Sequence, residues 1–83
     1  MREQEFNYEI DYDMFSTIEI VKIIEFFRLI ESTKTKKVNS KNLIEKYHEY
    51  QNILNNKSLE KKYDKMLQKK SNISIWDTVK RYL

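Results

Sequence analysis

From Thr17 to Ser32 the residues Ile18, Ile20, Val21, Ile23, Ile24, Phe26, Phe27, Leu29 and Ile30 are interrupted at every third position by Glu19, Lys22, Glu25, Arg28 and Glu31. A polar stripe with that step winds around a helix and leaves well over half of its circumference apolar, which predicts a central helix covered from several sides. Its alternating charges make i,i+3 pairs. Ser16 and Glu19 have the spacing of a capping box, and Phe15 and Ile20 the staple positions around it. A second helix is predicted over 40–54: Leu43, Tyr47, Tyr50 and Leu54 recur along one seam, with Asn39 as N-cap. Asn55-Asn56 ends it and starts a third over 57–70, with Leu59, Tyr63, Met66 and Leu67 as its apolar stripe. Ser74 and Asp77 are a capping pair for a short fourth helix over 75–82, with Trp76, Val79, Tyr82 and Leu83 expected to face inward.

One stretch follows a different period. In FNYEIDYD, Phe6, Tyr8, Ile10 and Tyr12 alternate with Asn7, Glu9, Asp11 and Asp13, the pattern of an extended segment with one buried face. The expected architecture is therefore all-α: a compact bundle of about four helices with an extended acidic arm over 6–13, in one domain of 83 residues. Burial of the arm's four apolar side chains nearly cancels the cost of ordering its backbone. Three arrangements stay open: a strap across helix 1, a strand paired with a second chain, or a segment that orders only on a partner.

Composition narrows the picture. Gly, Pro and Cys are all absent, which argues against a hairpin-rich fold and against disulfides. No apolar run is long enough for a membrane span, and the opening MREQEFNYE has no apolar signal region, so a cytoplasmic protein without membrane association is expected. The net charge of +3 is divided unevenly. Residues 1–13 carry five acids against Arg2, whereas residues 34–83 carry thirteen Lys or Arg against five acids. Abundant Lys, Asn and Ile with scarce Arg is also what an AT-rich genome imposes on surface positions.

The run IDYDMFSTIEIVKIIEFFRLIE, from Ile10 to Glu31, resembles the opening of uncharacterised protein family 0223, small helical proteins of low-GC Gram-positive bacteria. The residues that carry the likeness are Asp11-Tyr12-Asp13, Ser16-Thr17, Glu19-Ile20-Val21, Phe26-Phe27 and Glu31. Leu43, Tyr47, Tyr50-Gln51, Ile53, Lys57, Glu60-Lys61, Ser71, Ser74 and Val79-Lys80 extend it along the chain from Tyr8 onward. Glu9 and Asn55 stand where the family commonly has proline, and Lys37 and Asn72 near its usual glycines. The resemblance implies an all-helical single domain and no particular activity.

Candidate chemistry is sparse. Glu9, Asp11 and Asp13 share one edge of an extended arm, but a hard cation needs more oxygen ligands and a turned loop. His48, the single histidine, has no partner at metal or triad spacing. Without glycine there is no phosphate-binding loop. No catalytic residue, cofactor or metal is expected, and the chain reads as non-enzymatic. Its surplus apolar helix surface suggests a protein-interaction module, with an unidentified protein or a second copy as partner and Asp11, Tyr12, Asp13, Phe26 and Phe27 as the contact surface. The alternative is weak binding of nucleic acid or an anionic surface through Lys57, Lys61, Lys62, Lys65, Lys69 and Lys70, the densest positive stretch. The low overall charge and the acidic arm argue against nucleic acid.

Overall fold

A computed structural model describes residues 8–83; Phe6 and Asn7 of the predicted arm lie outside them. Four α-helices follow one another: α1 Thr17–Ser32, α2 Ser40–Leu54, α3 Lys57–Ser71 and α4 Ile75–Tyr82. Their bounds agree with the sequence pattern, α3 running one residue further, and no strand occurs among the described residues. Each start is capped by the side chain that the sequence supplies. Ser16 Oγ accepts from Glu19 N at 3.2 Å while Glu19 Oε1 accepts from Ser16 N at 2.9 Å, completing the capping box. Asn39, Asn56 and Ser74 accept from the backbones of Asn42, Leu59 and Asp77. The glycine-free chain ends α2 and α3 with Asn55 and Asn72 in left-handed conformation, at φ of 47° and 57°. Asparagine tolerates that region better than other residues with a Cβ.

The core is built from one stripe of each helix. Ile23, Phe26, Phe27 and Ile30 of α1 meet Leu43, Tyr50 and Leu54 of α2, Tyr63 and Leu67 of α3, and Ile75 and Val79 of α4. Phe27 is the aromatic centre: its ring centroid lies 5.2 Å from that of Tyr8, 5.7 Å from Tyr50 and 5.9 Å from Tyr63, all edge-on. Phe26 stacks on Tyr50 at 4.5 Å.

Helix α1 is less central than its composition suggests. Its fully buried residues lie at i, i+3, i+4 and i+7, one stripe only, while Ile18 is 70% exposed and Val21 is exposed beside it. The helix with the most extensive packing against each of the other three is α2. An 83-residue chain has too few elements to cover every apolar face of α1. Lys22 of α1 and Glu49 of α2 add a half-exposed ion pair at 2.8 Å. Each stabilises the charged form of the other, raising the ammonium pKa and lowering the carboxyl one.

The arm keeps its period of two only briefly. Tyr8 and Ile10 are buried and Glu9 is exposed, but the chain then tightens into a 3-10 turn at Tyr12–Met14 that leaves Tyr12 facing solvent. No strand among the described residues offers a ladder. The backbone donors turn to local and side-chain acceptors instead: Ile10 N to Tyr8 O at 3.1 Å, Met14 N to Asp11 O at 2.9 Å, and Asp11 N to Tyr63 Oη at 3.1 Å. Residues 8–14 form a strap that reaches from α1 to α3, with Tyr8 on Phe27 and Asp11 on Tyr63.

Candidate functional site

The predicted contact surface does not assemble. Phe26 and Phe27 are at most 1% exposed, because they occupy the buried stripe of α1 and the aromatic centre, so they offer nothing to a partner. Asp11 is turned inward: it accepts from Tyr63 Oη at 2.8 Å and pairs with Lys62 Nζ at 3.0 Å. The bond from Lys62, followed by that from Tyr63, holds the Asp11 carboxyl below the usual carboxylate range. Only Tyr12 and Asp13 of the set remain exposed, and the Tyr12 hydroxyl donates back to Tyr8 O at 3.1 Å.

The arm's other end is equally occupied. Tyr8 Oη donates to Glu31 Oε1 at 2.7 Å, Ser71 Oγ donates to Glu31 Oε2, and Lys34 Nζ donates to Ser71 O at 2.8 Å. Burial, then the neighbouring Glu31, pushes the Tyr8 phenol upward. This cluster joins the arm to the C-terminal ends of α1 and α3. It is a structural tie, with its donors and acceptors matched.

The lysines of α3 are all exposed but do not form one free face. Lys62 is paired with Asp11, and Lys70 Nζ lies 5.3 Å over the Tyr8 ring. Lys69 borders a small surface hollow with Lys70, Met66 and Glu9 of the arm. Lys57 and Lys61 border a cleft that the sequence pattern does not reveal.

That cleft, about 380 Å³, opens between α2, α3 and α4. Tyr47 and Tyr50 of α2 and Ile75 and Trp76 of α4 make it mostly apolar; Lys57, Glu60, Lys61 and Asp64 of α3 supply its charges. Trp76, predicted to face inward, is 47% exposed. The inward stripe of α4 is Ile75, Thr78, Val79 and half-buried Tyr82, so Trp76 falls on the next face, and Leu83, also predicted inward, is exposed beyond the helix end. Lys80 Nζ lies 5.9 Å over the indole. At the cleft wall Tyr50 is 2% exposed, and its hydroxyl has no hydrogen-bond partner among the described residues. Burial, followed by Glu60, pushes the Tyr50 phenol far up, so it stays a neutral donor. Burial and then Glu60 also raise the phenol of Tyr47, whose oxygen accepts from Gln51 Nε2 at 3.1 Å.

Of the two cleft carboxylates, one is already employed. Asp64 Oδ1 accepts from Ile75 N at 2.8 Å, so a side chain of α3 caps the first turn of α4, and Ser74 Oγ and Gln68 Nε2 add longer bonds. Glu60 accepts only a long contact from Gln51 Nε2, at 3.5 Å. Lys57 and Lys61 make no ion pair among the described residues. The described residues contain no group of three or more His, Cys, Asp or Glu arranged to hold a metal ion, and no helix long and apolar enough to cross a membrane. His48 is exposed, beside Tyr47 on α2.

Comparison with known proteins places these residues in a wider set. The family model described as "Uncharacterised protein family (UPF0223)" matches residues 5–83. A UPF0223 protein of Bacillus mycoides is 36% identical over 77 residues, covering 93% of this chain and 85% of the relative. One from Streptococcus uberis is 32% identical over 76 residues, covering 92% and 82%, and one from Oceanobacillus iheyensis 33% identical over 76 residues, covering 92% and 85%. No solved structure matches significantly.

Proposed function

Since the chain belongs to the uncharacterised protein family UPF0223, a family whose description names no activity, we propose its role from the site: a non-enzymatic, cytoplasmic protein-interaction module that docks a segment of a protein partner in the cleft between α2, α3 and α4. One observation carries this reading. A tryptophan stands half exposed beside a preformed, mainly apolar cleft. Leaving an indole in water forgoes burial, which a docked segment restores. Tryptophan and tyrosine in a pocket are the residue types that dominate protein contacts.

Binding of nucleic acid or an anionic surface by the six α3 lysines draws less support, because Lys62 and Lys70 are engaged by the arm. The cleft reading is tested by placing a photoreactive residue at position 80, beside Trp76, and at position 48 as a control, in living cells. A discrete heavier adduct is expected from position 80 alone, lost when Trp76→Ala is added to a chain shown by circular dichroism to remain folded. No adduct, an adduct indifferent to Trp76, or a homodimeric adduct alone overturns it.

A further inference from the structure

Apart from the cleft, we infer that the end of the bundle where α1 and α3 finish and α2 begins binds the phosphate backbone of nucleic acid. Lys34, Lys36 and Lys37 lie in the segment after α1, and Lys41 is the second residue of α2. Lys65, Lys69 and Lys70 follow one another down the last turns of α3. A bond from Lys34 Nζ to Ser71 O at 2.8 Å, and another from Ser71 Oγ to Glu31, bring the two groups together. Against these seven lysines stand Glu9, Glu31 and Glu45, and Glu31 is taken up by Tyr8 and Ser71. The rest of residues 8–83 carries eight Lys or Arg and eight Asp or Glu, so the whole positive surplus of the described residues lies at this end. The acids of the arm do little to offset it: Asp11 is bound by Lys62 and Tyr63, and Glu9 is the one that borders Lys69 and Lys70.

The fold accounts for part of this cluster. Lys34 ties the segment to α3, and Lys70 Nζ lies 5.3 Å over the Tyr8 ring. Lys36, Lys37, Lys41, Lys65 and Lys69 make no ion pair among the described residues. The dipole of α3 favours Lys69 and Lys70 in its last turn, but Lys41 stands in the first turn of α2, which has no acid and where the dipole opposes a cation. Like charges gathered from three chain segments repel one another, and a bound polyanion relieves that repulsion. The side chains also select the polyanion. Lysine presents a hydrated point charge, not the planar fork that reads base edges, so it neutralises phosphates without regard to sequence. The exposed large apolar residues lie elsewhere: Tyr12, Met14, Ile18 and Val21 on the arm and the first half of α1, Trp76 and Leu83 at α4 and beyond it. A lipid surface therefore lacks the apolar insertion that complements a basic patch. An acidic peptide meets only the small hollow beside Glu9, whose carboxylate repels it.

The test is fluorescence anisotropy of two labelled short DNA duplexes, one rich in A·T and one in G·C, titrated with the full chain. Both are expected to bind alike, with Kd on the order of 10 µM at about 50 mM salt, and the logarithm of the binding constant should fall against that of salt with a slope of about −4. The double variant Lys37→Gln, Lys69→Gln should bind about tenfold more weakly, with a slope shallower by about 2. Its Tm in low salt should hold or rise because repulsion is relieved, so lost binding is not lost folding. The double variant Lys46→Gln, Arg81→Gln removes the same charge elsewhere and should change affinity by about twofold at most. Phosphatidylserine-rich vesicles and polyglutamate, titrated at the same salt, should bind more weakly than either duplex. No binding of the duplexes, equal weakening by the two double variants, a preference of more than about tenfold between the duplexes, or vesicles or polyglutamate bound as tightly as DNA overturns the inference.

Discussion

The phenol of Tyr63 donates to Asp11 Oδ2 at 2.8 Å and accepts from Asp11 N at 3.1 Å, so one buried side chain of α3 matches both the backbone and the side chain of a single arm residue. This double contact joins residues 52 positions apart and sets where the strap stops and the 3-10 turn begins. Replacing Tyr63 with phenylalanine keeps the ring against Phe27 and removes both bonds. Tyr63→Phe is expected to cost about 1 kcal/mol, about 4–8 °C in Tm for a domain of this size. Hydrogen exchange should show the Asp11 amide losing protection while amides of α2 keep theirs. Unchanged exchange at Asp11 would mean that the arm is held by Tyr8 and Ile10 alone.

The same contact makes stability depend on pH at both ends. The Asp11 carboxyl is depressed by Lys62 and then Tyr63, so the folded state holds its proton less tightly than the unfolded chain. That contribution is present above the ordinary carboxyl value of 3.8 and is lost as pH falls through the lowered folded value. The Tyr63 phenol runs the other way, pushed up to about 12 by burial first and the Asp11 carboxylate after it. Its contribution is whole below the ordinary phenol value of 10.0 and is lost as pH rises toward 12. In thermal melts, Asp11→Asn should flatten the acid limb and Tyr63→Phe part of the alkaline limb. Tyr8 and Tyr50, raised by burial, retain the remainder of the alkaline slope.

What the residues revealed follows from the range of the forces involved. Caps and helix bounds were legible because Ser16, Asn39, Asn56 and Ser74 act within three residues of their own backbone. The arm was half legible. Alternation correctly buries Tyr8 and Ile10, but nothing local announces that Tyr63, far along the chain, captures Asp11 and turns the backbone before Tyr12. The pattern puts Phe26 and Phe27 on a contact surface because α1 has more apolar residues than one face needs; which of them stay exposed depends on where α2 and the arm lie. Ile18 and Val21 are the ones left uncovered. The cleft was not legible at all. Tyr50 and Trp76 read as core from spacing, and the gap between them lies where Asp64, distant in sequence, holds the start of α4 to α3.

Phe27 should be the costliest single truncation. Its ring touches Tyr8, Tyr50, Tyr63 and Phe26, contributed by the arm and three helices. Phe27→Ala removes that centre and leaves a cavity, at about 3–5 kcal/mol. For a chain this short, that is a large fraction of the total stability. Urea denaturation should show the midpoint falling steeply or the fold lost, whereas Val21→Ala on the exposed side of α1 should change it little.

Asp64→Ala tests the bond that holds α4 to α3. It withdraws the acceptor of Ile75 N and the weaker contacts with Ser74 and Gln68, at about 1 kcal/mol in the manner of other cap losses. Exchange of the Ile75 amide should quicken, and Trp76 fluorescence should report a looser α4. The Trp76-dependent adduct from position 80 should weaken with it, although Asp64 itself is spent on the helix cap.

Asn72 ends α3 at φ of 57°, and Asn55 ends α2 at φ of 47°. A residue with a Cβ resists this region by about 1–2 kcal/mol, asparagine less so. Both donate their backbone amide four residues back, to Gln68 O at 2.9 Å and Gln51 O at 2.8 Å, so the left-handed turn is fixed by hydrogen bonding as well as by chain direction. Asn72→Gly should therefore hold or raise Tm: relief in the native state acts against the greater freedom of glycine in the unfolded chain. Asn72→Ala retains the conflict without the asparagine amide and should lose about 1 kcal/mol. The same ordering is expected at Asn55, where the loop to α3 has no spare residue before the Asn56 cap. Thermal melts of the four variants decide it. Alanine equal to glycine at either position would show that the helix end relaxes into a right-handed turn, and that the glycine-free chain does not need its two asparagines to change direction.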